Sequence, residues 1–260
     1  MNQYVPVLGF EGTAYAWQGQ RLVWAGPAPG AEHPRNVMRP WQAPRRRYSA
    51  VALRAMPARC RVFLTSNPDV HETDSPVRRG LLPWFLGGDL PFPLNLAPQR
   101  FNRLKQALSE HDVNGLSQAA SALLGLGPGL TPSGDDFVGG VFFALHHLPE
   151  HAFTVSLAQL QHDVLRQAEH ATNPISASLL ADMVQGSSWR AAHELLDAAQ
   201  ASDAELGRAL RALLAVGASS GGDMLAGLLL ALSVTPPHSC TTARQPLPRS
   251  HPTISQQNAP

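Results

Sequence analysis

The chain has 260 residues, with Lys+Arg 20 against Asp+Glu 19, a formal charge of +1 at pH 7 and a hydrophobic fraction of 44%. Near-neutrality excludes a chain built mainly to hold nucleic acid or an anionic membrane, and the apolar fraction excludes wholesale disorder. The length suits one large domain or two small ones.

Residues 1–100 are punctuated by Pro and Gly and carry short runs of strand character: Val5–Phe10, Ala14–Trp17, Arg21–Trp24 and Arg61–Thr65. No run there predicts a helix, so this part reads as a small β-rich domain. From Phe101 the texture becomes Ala/Leu/Gln-rich with helical spacing. Helices are expected over Phe101–Ser109, Asn114–Leu124, Asp135–His147, Phe153–His170, Ile175–Gln185, Trp189–Gln200, Asp203–Val216 and Asp223–Leu232. Ser188 before Trp189, and Ser202 three residues before Glu205, supply capping chemistry. The Pro/Ser/Thr/Gln-rich stretch 234–260 reads as a disordered tail. The expected fold is α+β: a β-rich domain over 1–100, then an α-helical domain with Gly-rich loops over 101–233.

Several chemistries are excluded. The one lysine, Lys105, sits in a polar helical stretch as a solvated side chain, and no Gly-Lys-Ser/Thr forms a P-loop. Cys60 and Cys240 are far apart in sequence, so neither a zinc ribbon nor a disulfide framework is supported. The apolar stretch Leu213–Leu232 holds Ser219, Ser220 and Asp223, which reads as a loop plus a buried helix rather than a membrane span. With no basic, apolar leader after Met1, a cytoplasmic protein is expected. Arg45-Arg46-Arg47 and Arg78-Arg79-Gly80 read as solvated loops, and the histidines as ordinary.

Residues 125–140 concentrate the information: Gly-Leu-Gly-Pro-Gly-Leu-Thr-Pro-Ser-Gly-Asp-Asp-Phe-Val-Gly-Gly. Such a loop, running into an apolar helix, gathers backbone N–H groups where the peptide dipoles leave partial positive charge. Its eight-residue end, Ser133–Gly140, repeats as Ser220–Gly227: Ser-Gly-x-Asp, two apolar residues, a small residue, then Gly. The simplest reading is two capped, closely packed helices. The functional reading is that the loops face each other and form one polar site.

In that site Gly127, Gly129, Thr131, Ser133, Gly134, Ser219, Ser220, Gly221 and Gly222 would bind a small anion. Asp135, Asp136 and Asp223 would either cap loop amides or hold Mg²⁺. Asn173, ahead of Pro174, would cap a helix or touch the ligand.

The string Gly127–Asp136, followed by Thr172–Ser176 and Gly217–Asp223, resembles a bacterial family that includes the AllH subunit of oxamate carbamoyltransferase, from anaerobic allantoin catabolism. The resemblance covers roughly Leu123–Leu232. It implies a component of a multi-subunit transferase that handles carbamoyl phosphate and an oxamate-like acid, with other subunits as partners and neither nucleic acid nor membrane. No residue is assigned as nucleophile. The alternatives are a Mg²⁺-dependent hydrolase using Asp135, Asp136 and Asp223, with a short likeness to ADP-ribosyl-glycohydrolases, and a non-catalytic assembly protein.

Overall fold

A computed structural model of the chain describes residues 4–10, 13–26, 32–42, 46–67, 80–149 and 151–235. Three strands, β1 (Tyr4–Phe10), β2 (Thr13–Gln18) and β3 (Arg21–Ala25), form an antiparallel sheet in sequential order. A two-residue turn after Gln18 pairs that residue with Arg21 and sets Trp17 opposite Leu22. Leu22, Val23 and Trp24 are buried, so the sheet contributes to the interior through β3.

The fourth expected strand is a correction. Arg61–Thr65 lies in α1 (Ala50–Ser66), a helix with Pro57 inside it. Leu53, Met56, Pro57, Cys60 and Leu64 are its buried residues, a stripe at helical spacing, and burial of that stripe outweighs the β-branched residues near its end. Burial also pushes the Cys60 thiol up to about 12, and Cys240 lies outside the described residues.

The remaining helices are α2 (Leu82–Phe85), α3 (Pro98–Glu110), α4 (Val113–Ser121), α5 (Ser133–His147), α6 (Leu157–Ala171), α7 (Pro174–Val184), α8 (Arg190–Asp197), α9 (Asp203–Leu214) and α10 (Ser220–Val234). α2 is a second helix in the part expected to be β-rich, and α3 to α10 follow the expected order. Ser202 and Glu205 form the expected capping box at α9. Ser188, by contrast, does not cap α8; the cap position is Trp189, and the Ser188 hydroxyl meets the Met224 sulfur at 3.6 Å.

α5 and α10 form the centre. Every residue of α5 from Ser133 to Leu145 is buried, as is every residue of α10 from Gly221 to Leu232. Helices apolar on all sides belong inside, and amphipathic ones surround them: α3 turns Phe101, Leu104 and Leu108 inward, and α6 turns Leu160 and Val164 inward. One buried cluster runs from Leu22, Trp24, Leu53 and Leu94 through Phe101 to Leu232. At the end of α10, Thr235 is buried and its carbonyl accepts from Arg54; the rest of the expected tail, 236–260, lies outside the described residues. Lys105 is exposed, and no helix among the described residues is long and apolar enough to cross a membrane.

Candidate functional site

The two repeated segments meet face to face. A β-carbon on Gly140 of α5 would collide with the Met224 carbonyl and crowd Leu228; one on Gly227 of α10 would collide with the Phe137 carbonyl and crowd Val141. In the repeat, Phe137 corresponds to Met224, Gly140 to Gly227 and Val141 to Leu228. Each copy therefore presents the same patch to the other, the property of an isologous two-fold contact, here within one chain.

The loops entering the helices share the arrangement. Gly134 donates its amide to the Leu126 carbonyl at 2.8 Å, and Gly221 donates to the Val216 carbonyl at 2.9 Å. The first closure spans three more residues, the Gly127-Pro128-Gly129 side of the loop.

The equivalent aspartates, Asp136 and Asp223, lie in the first turns of the two helices with 1% and 0% of their surface exposed. Asp223 accepts from the Leu81 amide at 2.6 Å, and Gly80 sits so close to this carboxylate that a side chain there would strike it. The Oδ2 atom of each aspartate has no hydrogen-bond partner among the described residues. Burial, then the charge of Asp223, pushes Asp136 well above the usual carboxylate range, against the opposing hydroxyls of Ser220 and Thr131. Burial likewise raises Asp223 to about 6, opposed by the Leu81 amide and the hydroxyls of Ser133 and Ser219. The arrangement is crossed: the serine opening each repeat favours ionisation of the aspartate on the other.

Thr131 and Ser220 join the loops by a 2.8 Å hydroxyl–hydroxyl hydrogen bond. Thr131, Ser219 and Ser220 are half-buried, and Gly129 and Gly217 are exposed. The result is a set of half-buried hydroxyls beside two buried carboxyls.

The other expected site residues divide. Asp135, whose counterpart is Gly222, turns away from the pair: it accepts from the Gly125 amide at 2.7 Å, from the Ser176 hydroxyl at 2.6 Å and from the Thr172 hydroxyl. It locks the first loop to the start of α7. Asn173 caps α7 through the amides of Ile175 and Ser176, and donates to the Leu130 carbonyl at 2.8 Å. Both are ties between segments. The amides of Gly134 and Gly221 close their own loops, Gly127 packs against the Ser133 amide, and Gly222 is buried in α10.

The three aspartates do not converge, and the described residues contain no group of three or more His, Cys, Asp or Glu side chains able to hold a metal ion. Of the arginine clusters, Arg46 pairs with Asp197 at 2.6 Å on the surface; Arg45, Arg78 and Arg79 lie outside the described residues.

Sequence reasoning missed two contributors. The phenol of Tyr15 on β2 is shifted up by burial first and then by the charge of Asp136. Leu81 reaches Asp223 through a backbone group, which no side-chain motif reveals.

The comparisons bear on this same region. Residues 123–232 match the family model described as oxamate carbamoyltransferase subunit AllH. The AllH match begins at Leu123, whose carbonyl packs against Gly134, and ends within α10, so it contains both loops and both central helices. Comparison with curated proteins and with solved structures finds no match to the chain.

Proposed function

We propose that the chain is a carbamoyltransferase subunit that works with other subunits, and that its twin loops bind carbamoyl phosphate or a similar small anion. The observation that carries this reading is the Thr131–Ser220 contact above Asp136 and Asp223, inside the AllH match. It brings hydroxyls from two loops that are far apart in sequence to one place.

Thr131, Ser219 and Ser220 supply hydroxyl donors at the rim, and Gly129 lets a ligand approach the backbone. Two carboxylates beneath an anion would normally repel it. Burial eases the conflict by holding Asp136 towards its neutral form, in which a carboxyl donates a hydrogen bond instead of presenting a charge, while Asp223, raised to about 6, keeps its charge at neutral pH. Carbamoyl transfer demands charge stabilisation on the departing phosphate and alignment of the acceptor acid, tasks for fixed donors rather than for a protein nucleophile.

The test is thermal unfolding with carbamoyl phosphate, on the chain alone and with candidate partner subunits. Stabilisation of the native protein by the ligand is expected, because it binds N and not U. It should vanish in Ser220→Val and Gly129→Val, while Mg²⁺ alone leaves the midpoint unchanged. No stabilisation in any combination of subunits rejects the reading, and a Mg²⁺ effect abolished by Asp136→Asn would favour the hydrolase instead.

A further inference from the structure

Away from the candidate site, four imidazoles gather where the segment after β3 crosses the helices. His33 follows β3, His146 and His147 end α5, and His193 lies on α8. His33 is 0% and His193 2% exposed. The ring of His33 lies 4.7 Å from Trp24 and 5.2 Å from Trp189; that of His193 lies 4.9 Å from Trp41, 5.0 Å from Phe143 and 5.5 Å from His147. Tyr48 meets His147 edge-on at 5.4 Å.

These contacts fasten residues 32–42, with Tyr48, onto α5, α7 and α8. The Arg190 amide donates to the Glu32 carbonyl at 2.8 Å, and Arg35 grips Asp182 through both ends of its guanidinium. The segment in turn holds β3, since Trp24 donates to the Arg35 carbonyl at 3.0 Å and accepts from the Val37 amide at 2.8 Å.

The cluster is built for neutral rings. His33 Nδ1 accepts from the Arg35 amide at 3.1 Å, so the ring proton sits on Nε2, which has no hydrogen-bond partner among the described residues. A second proton would have to enter at Nδ1 and break that bond, beside the guanidinium groups of Arg35 and Arg21. The carboxylate that could compensate, Asp182, stands 3.9 Å from Nε2 and is already engaged by Arg35. His193 Nε2 also has no hydrogen-bond partner among the described residues, and the titratable groups facing it are His147, His146 and His33. His147 donates from Nε2 to the Gly186 carbonyl at 3.0 Å, and His146 is its nearest basic neighbour. Around Tyr48 stand Asp197 and Arg46, and Glu32 pairs with Arg39 at the rim.

We propose that residues 32–42 form an acid-released latch, which holds the sheet on the helices at neutral pH and frees it when the buried imidazoles are protonated. Burial lowers His33 and His193 to about 3 and His147 to about 4, from an ordinary value of 6.5. The latched form therefore binds fewer protons than the released form. The stability these rings contribute is full above pH 6.5 and falls as pH drops towards those lowered values.

The experiment follows tryptophan fluorescence and far-UV circular dichroism of the full chain from pH 8 to 3.5, since Trp24, Trp41 and Trp189 touch the histidines. Expected is a fluorescence transition between pH 6.5 and 4 that precedes loss of helical signal. Its midpoint should move down by about half a pH unit or more in His193→Phe and in His33→Asn, which keeps an acceptor for the Arg35 amide. If one variant fails to fold, the other decides. A midpoint unmoved by substitution, no fluorescence change above pH 4, or joint loss of both signals overturns the latch.

Discussion

A carboxylate with no exposed surface, such as Asp223, weakens the protein at neutral pH unless something compensates its charge. Its folded pKa is raised to about 6 from 3.8, so its contribution to stability is full below the unfolded value and is lost as pH rises through 6. Asparagine keeps an oxygen for the Leu81 amide and removes the charge. Asp223→Asn should therefore stabilise the protein at pH 8 by about 1–3 kcal/mol, the free energy of a shift of this direction and size, and the gain should shrink to nothing near pH 4. Urea unfolding at the two pH values decides it; a variant weaker at pH 8 would mean that the ionised carboxylate is a structural cap. A group that is retained although its removal stabilises the fold is the signature of a site.

At the scale of elements, the sequence repeat was legible because it is a pattern of residue types: Ser, Gly, Asp, small, Gly at fixed spacing. Its meaning as a two-fold contact was not, because reciprocity is a property of pairs, and Gly140 against Met224 is 84 positions away in sequence. The prediction that follows is specific. Gly140→Ala and Gly227→Ala each force the helices apart at equivalent places, at a cost of about 1–3 kcal/mol, as for overpacked cores. Once one alanine has spread the pair, the second has less to displace, so the double variant should lose clearly less than the sum of the two. A double-mutant cycle by chemical denaturation measures this. Strict additivity would show that the two glycines do not share one contact.

α1 shows the opposite failure. Its proline and β-branched residues signal a turn and a strand, yet Leu53, Met56, Cys60 and Leu64 are at helical spacing throughout. Local propensity and the apolar stripe point to different structures there, and only the core makes the stripe decisive. Boundaries elsewhere shifted by a few residues for a related reason: Ser133 and Ser220 begin their helices, although the expected starts were Asp135 and Asp223, since the preceding loop closes through Gly134 and Gly221.

For the whole molecule, stability should be graded from centre to edge. α5 and α10 are enclosed on all sides, whereas β3 is held by a segment whose key tie is Arg35, with 15% of its side chain exposed. Arg35 bonds Asp182 and also donates to the Leu22 carbonyl at 3.1 Å, so one side chain links the sheet, the following segment and α7. Removing it strands a partly buried carboxylate, a loss of about 2–5 kcal/mol when such pairs are broken from one side. The loss is local, because no α5–α10 contact involves Arg35. Native-state hydrogen exchange at pH 7.5 should then show faster exchange of the Trp24 and Val37 amides in Arg35→Ala, through sub-global opening. Amides from Val138 to Ala144 and from Leu225 to Ala231 should keep their protection, opening only with the whole fold. If the central amides accelerated as much as those at the edge, the sheet and the helices would unfold as one unit, and a latch that opens ahead of the core could not operate.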